Sequence, residues 1–349
     1  MLGIDRNAAR YTWTAALVLL AMSMVYLIRH TLFIFVIALL FAYLLSPLVD
    51  FLDRLFPSSR TRTPALALAY ILVTGILIGG GFMLGTRAVD QANEFITRIP
   101  EVVGKAKNFA PKDGSWLGRL LENTEDQLAQ RINDVLHYLP ALGKGVISVA
   151  ETLVLIVVVP IFSFFLLKDA SSLRKSLLEM MGTGSHRELM EDLADDVNLL
   201  LAQYVRALAL LCLTTFTIFA LAAEFAGAPY PLLLAGIAAG LEFIPMVGPL
   251  TAAVLIIVIN LIAGYPHILG VLAFLGIYRI FQDYVVAPRL MSAGMELHPL
   301  MVMFGVFAGA EVGGIPGTFL SVPAVAMIRI VYRRIEKARA GWTIASPKS

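Results

Sequence analysis

The sequence predicts an all-α integral membrane protein with about eight membrane-inserted segments, two of them discontinuous, and further amphipathic helices outside the membrane. Three observations lead there. The 349 residues are 58% hydrophobic and only 15% charged, with a mean hydropathy of +0.80, where a soluble domain carries roughly a quarter charged residues. Apolar runs of about 20 residues, long enough to cross a bilayer, recur along the chain. Two runs are longer still, and each is interrupted by a glutamate followed by glycine and proline.

The first two runs, Thr14 to Ile28 and Thr31 to Val49, are separated only by Arg29 and His30, a polar pair expected to turn the chain at the interface. Arg6 and Arg10 precede them, and no small-residue cleavage site follows, so the first run is expected to be retained as a span. Pro64 suits the first turn of a third run reaching Thr86. Within it, Gly79, Gly80 and Gly81 predict close contact with another helix, because small residues let backbones approach in lipid. From Arg87 to Lys144 charges balance and apolar residues recur at helical spacing, the pattern of an amphipathic extracytoplasmic region. A fourth run covers Val146 to Leu167. Residues 169–206 are again amphipathic, with Leu189, Leu193, Val197, Leu200 and Tyr204 on one face, and Glu191, Asp192, Asp195 and Asp196 on the other. A fifth run extends from Ala207 to Ala226, and another from His267 to Val286.

This pattern divides the chain into a three-span region (1–86), the extracytoplasmic region (87–144), a fourth span (145–168), cytoplasmic amphipathic helices (169–206), a transport core (207–332) and a basic tail (333–349). Lys and Arg in the short loops and the tail place both termini in the cytoplasm.

The two long segments, 231–263 and 299–332, resemble each other. PLLLAGIAAGLEFIPMVGPL and PLMVMFGVFAGAEVGGIPGTFL both open on Pro-Leu and run about three apolar turns. Each then presents a glutamate, Glu242 or Glu311. Breakers follow at once: Pro245, Gly248 and Pro249 in the first, Gly313, Gly314, Pro316 and Gly317 in the second. Discontinuous helices in corresponding positions are the best sequence pointer to a transporter's binding site. Breaking a helix at membrane depth frees backbone N–H and C=O groups, which is tolerable only against protein, water or ligand. Two architectures fit, long kinked spans or re-entrant hairpins entering from opposite sides, and the hairpins account for the extra length. Glu242 and Glu311 either cap the half-helix that follows each break or bind ion, proton or substrate. Arg279, Gln282 and Asp283 extend the candidate set; Arg279 and Asp283 are four apart and able to pair on one helix face.

Other chemistry is poorly supported. HExxH, GxSxG and Walker A motifs do not occur, the five histidines are scattered, and Cys212 is a lone cysteine. No catalytic role, metal or cofactor is therefore expected. A net charge of +2 without a basic aromatic patch argues against nucleic acid. The expected partners are membrane lipids with either a small polar solute or Na+ and H+. The competing class is a non-transporting scaffold acting through 87–144 and 169–206.

PIFSFFLLKD, EFIPMVGPL and the run APRLMSAGMELHPLMVMFGVFAGAEVGGIPGTFLSVPAVAMI resemble signatures of the autoinducer-2 exporter family of bacterial membrane proteins. The resemblance covers nearly the whole chain, strongest from about 146 to 332 and weak in 87–144. It implies a multi-spanning, homo-oligomeric permease of the plasma (inner) membrane. Such a protein would export an autoinducer-2-like solute or exchange sodium for protons. Gln282-Asp283 fits the family's pattern of a Gln followed by an acidic residue before APRL, with Asp in place of the more usual Glu, and the family supplies no catalytic residues to carry over.

Overall fold

The computed structural model describes residues 6–55, 62–109, 157–180, 184–286 and 297–345. Every regular element among them is helical: α1 (Arg6–Leu27), α2 (Arg29–Leu55), α3 (Thr63–Phe109), α4 (Val159–Lys168), α5 (Ala170–Glu179), α6 (Ser185–Phe225), α7 (Pro231–Leu241), α8 (Val247–Ile262), α9 (Ile268–Phe281) with a π-helical turn at Gln282–Val286, and α10 (Pro299–Ala345). Within the described residues, α1, α2, α3, α6 and α9 with its π turn supply the five stretches long and apolar enough to cross a membrane. Half of the fourth apolar run, and most of the region expected outside the membrane, lies outside the described residues.

At two places the described residues differ from the sequence expectation. The turn expected at Arg29-His30 is not made there: Ile28 N–H donates to Met24 O, and Leu32 N–H to Ile28 O, so helical bonding runs across the junction. With neither glycine nor proline between residues 12 and 46, nothing frees the backbone to reverse. Among the described residues, the close contact expected at Gly79, Gly80 and Gly81 is also not found, since a Cβ at any of them would meet nothing within 4 Å. The region boundaries at 86/87 and 206/207 lie within the continuous helices α3 and α6. Residues 86–99 and 186–225 contain no helix breaker, so the change from apolar to amphipathic composition alters the helix's surroundings and not its backbone.

The buried apolar residues form three clusters. One joins α2, α3 and α4 through Leu45, Val49, Leu66, Ala69 and Tyr70. Ser163, fully buried in the PIFSFFLLKD stretch, shares a hydrogen bond with the Tyr70 hydroxyl and ties α4 to α3. A second cluster joins α2, α6 and α10 through Leu40, Leu201, Tyr204, Val322 and Ala326. The third joins α3, α6, α7, α8 and α9 through Phe95, Phe219, Leu234, Ile256 and Tyr278.

Both long segments fold back on themselves. In the first, α7 and α8 are linked by Glu242–Met246, where Met246 takes φ 65° and ψ −50°. In the second, Gly314 leaves the helix at φ 61° and ψ −145°, and its two arms pack antiparallel, with Gly305 facing Val325 and Gly309 facing Gly317. The 11 residues of α7 and the 16 of α8 span about 16 Å and 24 Å at ~1.5 Å per residue, short of a hydrocarbon core of about 30 Å. The first segment is therefore a hairpin of two short helices, and in the second a short arm, Pro299–Gly314, folds back on a longer one. Their tips meet: the Phe243 and Phe319 rings touch edge to face, centroids 5.4 Å apart.

The entrance of the first hairpin is held by α3. Gln91 Oε1 accepts hydrogen bonds from the N–H groups of Leu232 and Leu233, both at 3.0 Å. These are two of the donors that a helix start leaves unpaired. Phe95, one turn further along α3, packs edge-on against Tyr230.

The far arm of the second hairpin is tied to α6 by charge. Arg334 reaches Asp196 and Asp192, each at 2.7 Å. Chiefly through its hydrogen bond to Asp196, the guanidinium is held above the ordinary arginine value. A raised folded-state value makes the arginine's contribution fully present below the ordinary arginine value and lost only as pH rises through the raised one. Near neutral pH this clamp is thus insensitive to arginine titration and sensitive to salt. Arg334→Ala should lower the unfolding temperature of the detergent-purified protein at low ionic strength. Molar salt should remove most of that difference; an equal difference at both salt concentrations would show that the ion pairs are not its source.

Candidate functional site

The link between α7 and α8 places Glu242 in the interior. A helix ending at Leu241 is closed by Ile244 N–H donating to Leu241 O, and Gly248 N–H to Ile244 O. Gly248 lies so close to the Leu241 carbonyl that no side chain fits there. Pro249 occupies the first turn of α8, where a missing N–H removes no helical bond. The result is a tight tip from which the Glu242 side chain turns inward, only 7% of the residue being exposed.

Its carboxylate is engaged by side chains, not by the helix end that follows. Glu242 Oε1 accepts from Gln282 Nε2 at 2.8 Å and from Thr215 Oγ1 at 3.2 Å. Thr215 Oγ1 lies 2.6 Å from the Tyr278 hydroxyl. Because the threonine proton goes to the carboxylate, the tyrosine donates to Thr215. The network reads Tyr278 to Thr215 to Glu242, with Gln282 donating from the other side. All four residues are buried. The π turn at Gln282–Val286, a helix distortion common at functional sites, starts at the glutamine that reaches Glu242.

These side chains line a cavity of about 280 Å³ between α6, α7, α8 and α9, lined elsewhere by Phe219, Ala238, Ala252 and Leu275. Arg279 lines the same cavity and pairs with Asp283 at 2.9 Å, both about half-exposed. Of the sequence candidates, the structure thus brings together Glu242, Gln282 and Arg279, with Asp283 at the edge. Glu311 stands apart, exposed on the first arm of the second hairpin, beside exposed Gly313 and Gly314. Thr215 and Tyr278 escaped sequence reading. Tyr278 is four residues before Gln282 and so shares its helix face; Thr215, in LLCLTTFTIF, gave no signal that distinguished it from its neighbours.

Crossing helices, two hairpins meeting at their tips, and a polar network buried at one tip define a multi-spanning membrane protein with the build of a transporter. The chain belongs to the AI-2E transporter family: the model described as "AI-2E family transporter" matches residues 15–337. Among similar proteins, "Putative transport protein YrrI" of Bacillus subtilis is 25% identical over 318 residues, covering 88% of this chain and 87% of its own. "Putative transport protein MT0215" of Mycobacterium tuberculosis is 25% identical over 337 residues, covering 92% and 88%. "Putative permease PerM" of Escherichia coli is 24% identical over 308 residues, covering 84% of each.

Proposed function

We propose that this chain is a secondary transporter of the bacterial inner membrane. In this reading it exchanges a cation for a proton by alternating access, and Glu242 is the group that holds one or the other. The observation that carries it is a carboxylate buried at a hairpin tip, facing a cavity, whose hydrogen-bond partners Gln282 and Thr215 are both neutral. An intramembrane carboxylate without a paired cation is costly and marks an ion path. In this reading the hairpins enter from opposite faces and, touching through Phe243 and Phe319, offer one gate toward each side. Arg333, Arg334, Lys337 and Arg339, in the C-terminal third of α10, support a cytoplasmic C-terminus. The apolar side chains described along α1, all of them exposed, fit lipid or a second copy of the chain.

A second reading, export of a small polar solute resembling autoinducer-2, draws on the same cavity. Tyr278, Thr215, Gln282 and Glu242 offer hydroxyl, amide and carboxylate groups to a hydroxylated solute within about 280 Å³.

The test is lumenal pH in proteoliposomes on imposing a sodium gradient. Wild type should show a sodium-dependent pH change, and Glu242→Gln should abolish it while remaining folded. Flux that survives in Glu242→Gln removes the role given to Glu242. No flux in correctly inserted wild type removes exchange and leaves solute export to be screened.

A further inference from the structure

A second cavity, of about 380 Å³, lies one to two helical turns from the first along the same four helices. Where the Glu242 cavity takes Thr215, Ala238, Ala252 and Tyr278, this one takes Ala222, Leu234, Ile256 and Val271. Phe219 lines both. Its ring is packed edge-on against Tyr278 at 4.8 Å and Phe274 at 5.0 Å, so a small aromatic wall separates the two spaces.

The second cavity is mostly apolar but holds one polar group with unspent capacity. Asn260 is 1% exposed; its Nδ2 donates to Ile256 O at 2.8 Å, while Oδ1 has no partner among the described residues. Flipping the amide does not help, because it would set Oδ1 against the Ile256 carbonyl. A buried acceptor without a donor is destabilising and calls for an explanation. Tyr265, at the rim, already donates to Ala226 O at 2.6 Å.

Building on the transport reading of the Glu242 cavity, we propose that the Asn260 cavity is a second solute site in series with it. It takes a small solute carrying a hydrogen-bond donor, and Phe219 is the partition that must swing aside for passage. The site lies toward the face at which the first hairpin enters, because Asn260 and His267 are at the open ends of α8 and α9 while Glu242 is at the tip. A solute coming from that face would first donate to Asn260 Oδ1. It would then meet the carboxylate once the ring of Phe219 rotates.

Thiol labelling tests this without requiring transport, so its outcome is independent of the sodium experiment. Cys212 is the only native cysteine, and Cys212→Ala provides a clean background. Val271→Cys reports on the second cavity and Leu275→Cys on the first. In vesicles of defined orientation, a membrane-impermeant trimethylammonium thiosulfonate reagent should modify Val271→Cys from the hairpin-entry face. It should modify Leu275→Cys quickly only when combined with Phe219→Ala. Phe219→Leu, which keeps the core filled, should give an intermediate rate and so separates an opened partition from a misfolded protein. A hydroxyethyl reagent should label Val271→Cys faster than a methyl reagent. That excess should fall about 2- to 10-fold in Asn260→Leu, the worth of one neutral hydrogen bond. A Val271→Cys that is unreactive from that face, a Leu275→Cys rate indifferent to residue 219, or an excess untouched by Asn260→Leu would each overturn the proposal.

Discussion

Gly309→Ala and Gly317→Ala should each collapse the second hairpin, with loss of folded protein on detergent extraction. A Cβ on either residue would run into the backbone carbonyl of the other. Backbone cannot escape by changing rotamer, so the arms must separate. Inserting one methyl group into a packed site typically costs about 1–3 kcal/mol, and here relief would also dismantle the contacts of Ser321 and Val325 with the first arm. Gly276→Ala is the control: a Cβ there meets nothing within 4 Å among the described residues, and alanine is favoured in a helix by up to ~1 kcal/mol. Gly313→Ala should also be tolerated, whereas Gly314, at φ 61°, should resist any side chain. Thermal unfolding of the purified variants orders the set. Equal stability for Gly309→Ala and Gly276→Ala would show that the two arms are not packed as described.

Replacing Glu242 by alanine should destabilise the protein far more than replacing it by glutamine. In Glu242→Ala, the amide of Gln282 and the hydroxyl of Thr215 both lose their acceptor inside a buried network. Each unsatisfied buried donor costs about 1–3 kcal/mol, and the cavity widens as well. Glu242→Gln keeps an acceptor oxygen in place and should hold most of the stability while losing the titratable group. Adding Gln282→Leu to Glu242→Ala should then restore part of the loss, because it removes one of the orphaned donors. Coupling of that sign in a double-mutant cycle is the signature of a direct interaction. Strict additivity would place the two side chains out of contact.

The hairpin tips show how different kinds of residue were visible in the sequence. Pro245, Gly248, Pro249 and Gly314 announced breaks because their backbone preferences are local, and the breaks occur where they stand. The individual tasks within GGIPG were not legible. Gly314 supplies a positive φ, Gly317 a close approach and Gly313 neither, and only the fold-back of one arm onto the other assigns them. The repeated Glu-Gly-Pro pattern likewise suggested two equivalent carboxylates. In the structure Glu242 is buried among hydrogen bonds while Glu311 is exposed. The sequence pattern is symmetric, but α6 and α9 flank the first tip with Thr215, Tyr278 and Gln282 and do not do the same for Glu311.

Membrane class, helical content and the existence of two interrupted segments follow from composition and periodicity, because in lipid every backbone group must be satisfied within a helix and a breaker is conspicuous. Other features depended on contacts between residues 27 to 142 positions apart: the partners of Glu242, the Gln91 cap on the first hairpin and the meeting of the two tips. Hydropathy cannot encode these. It records how each residue partitions between lipid and water, and helices that are apolar on every side leave their neighbours to be chosen by side-chain shape and by a few buried hydrogen bonds.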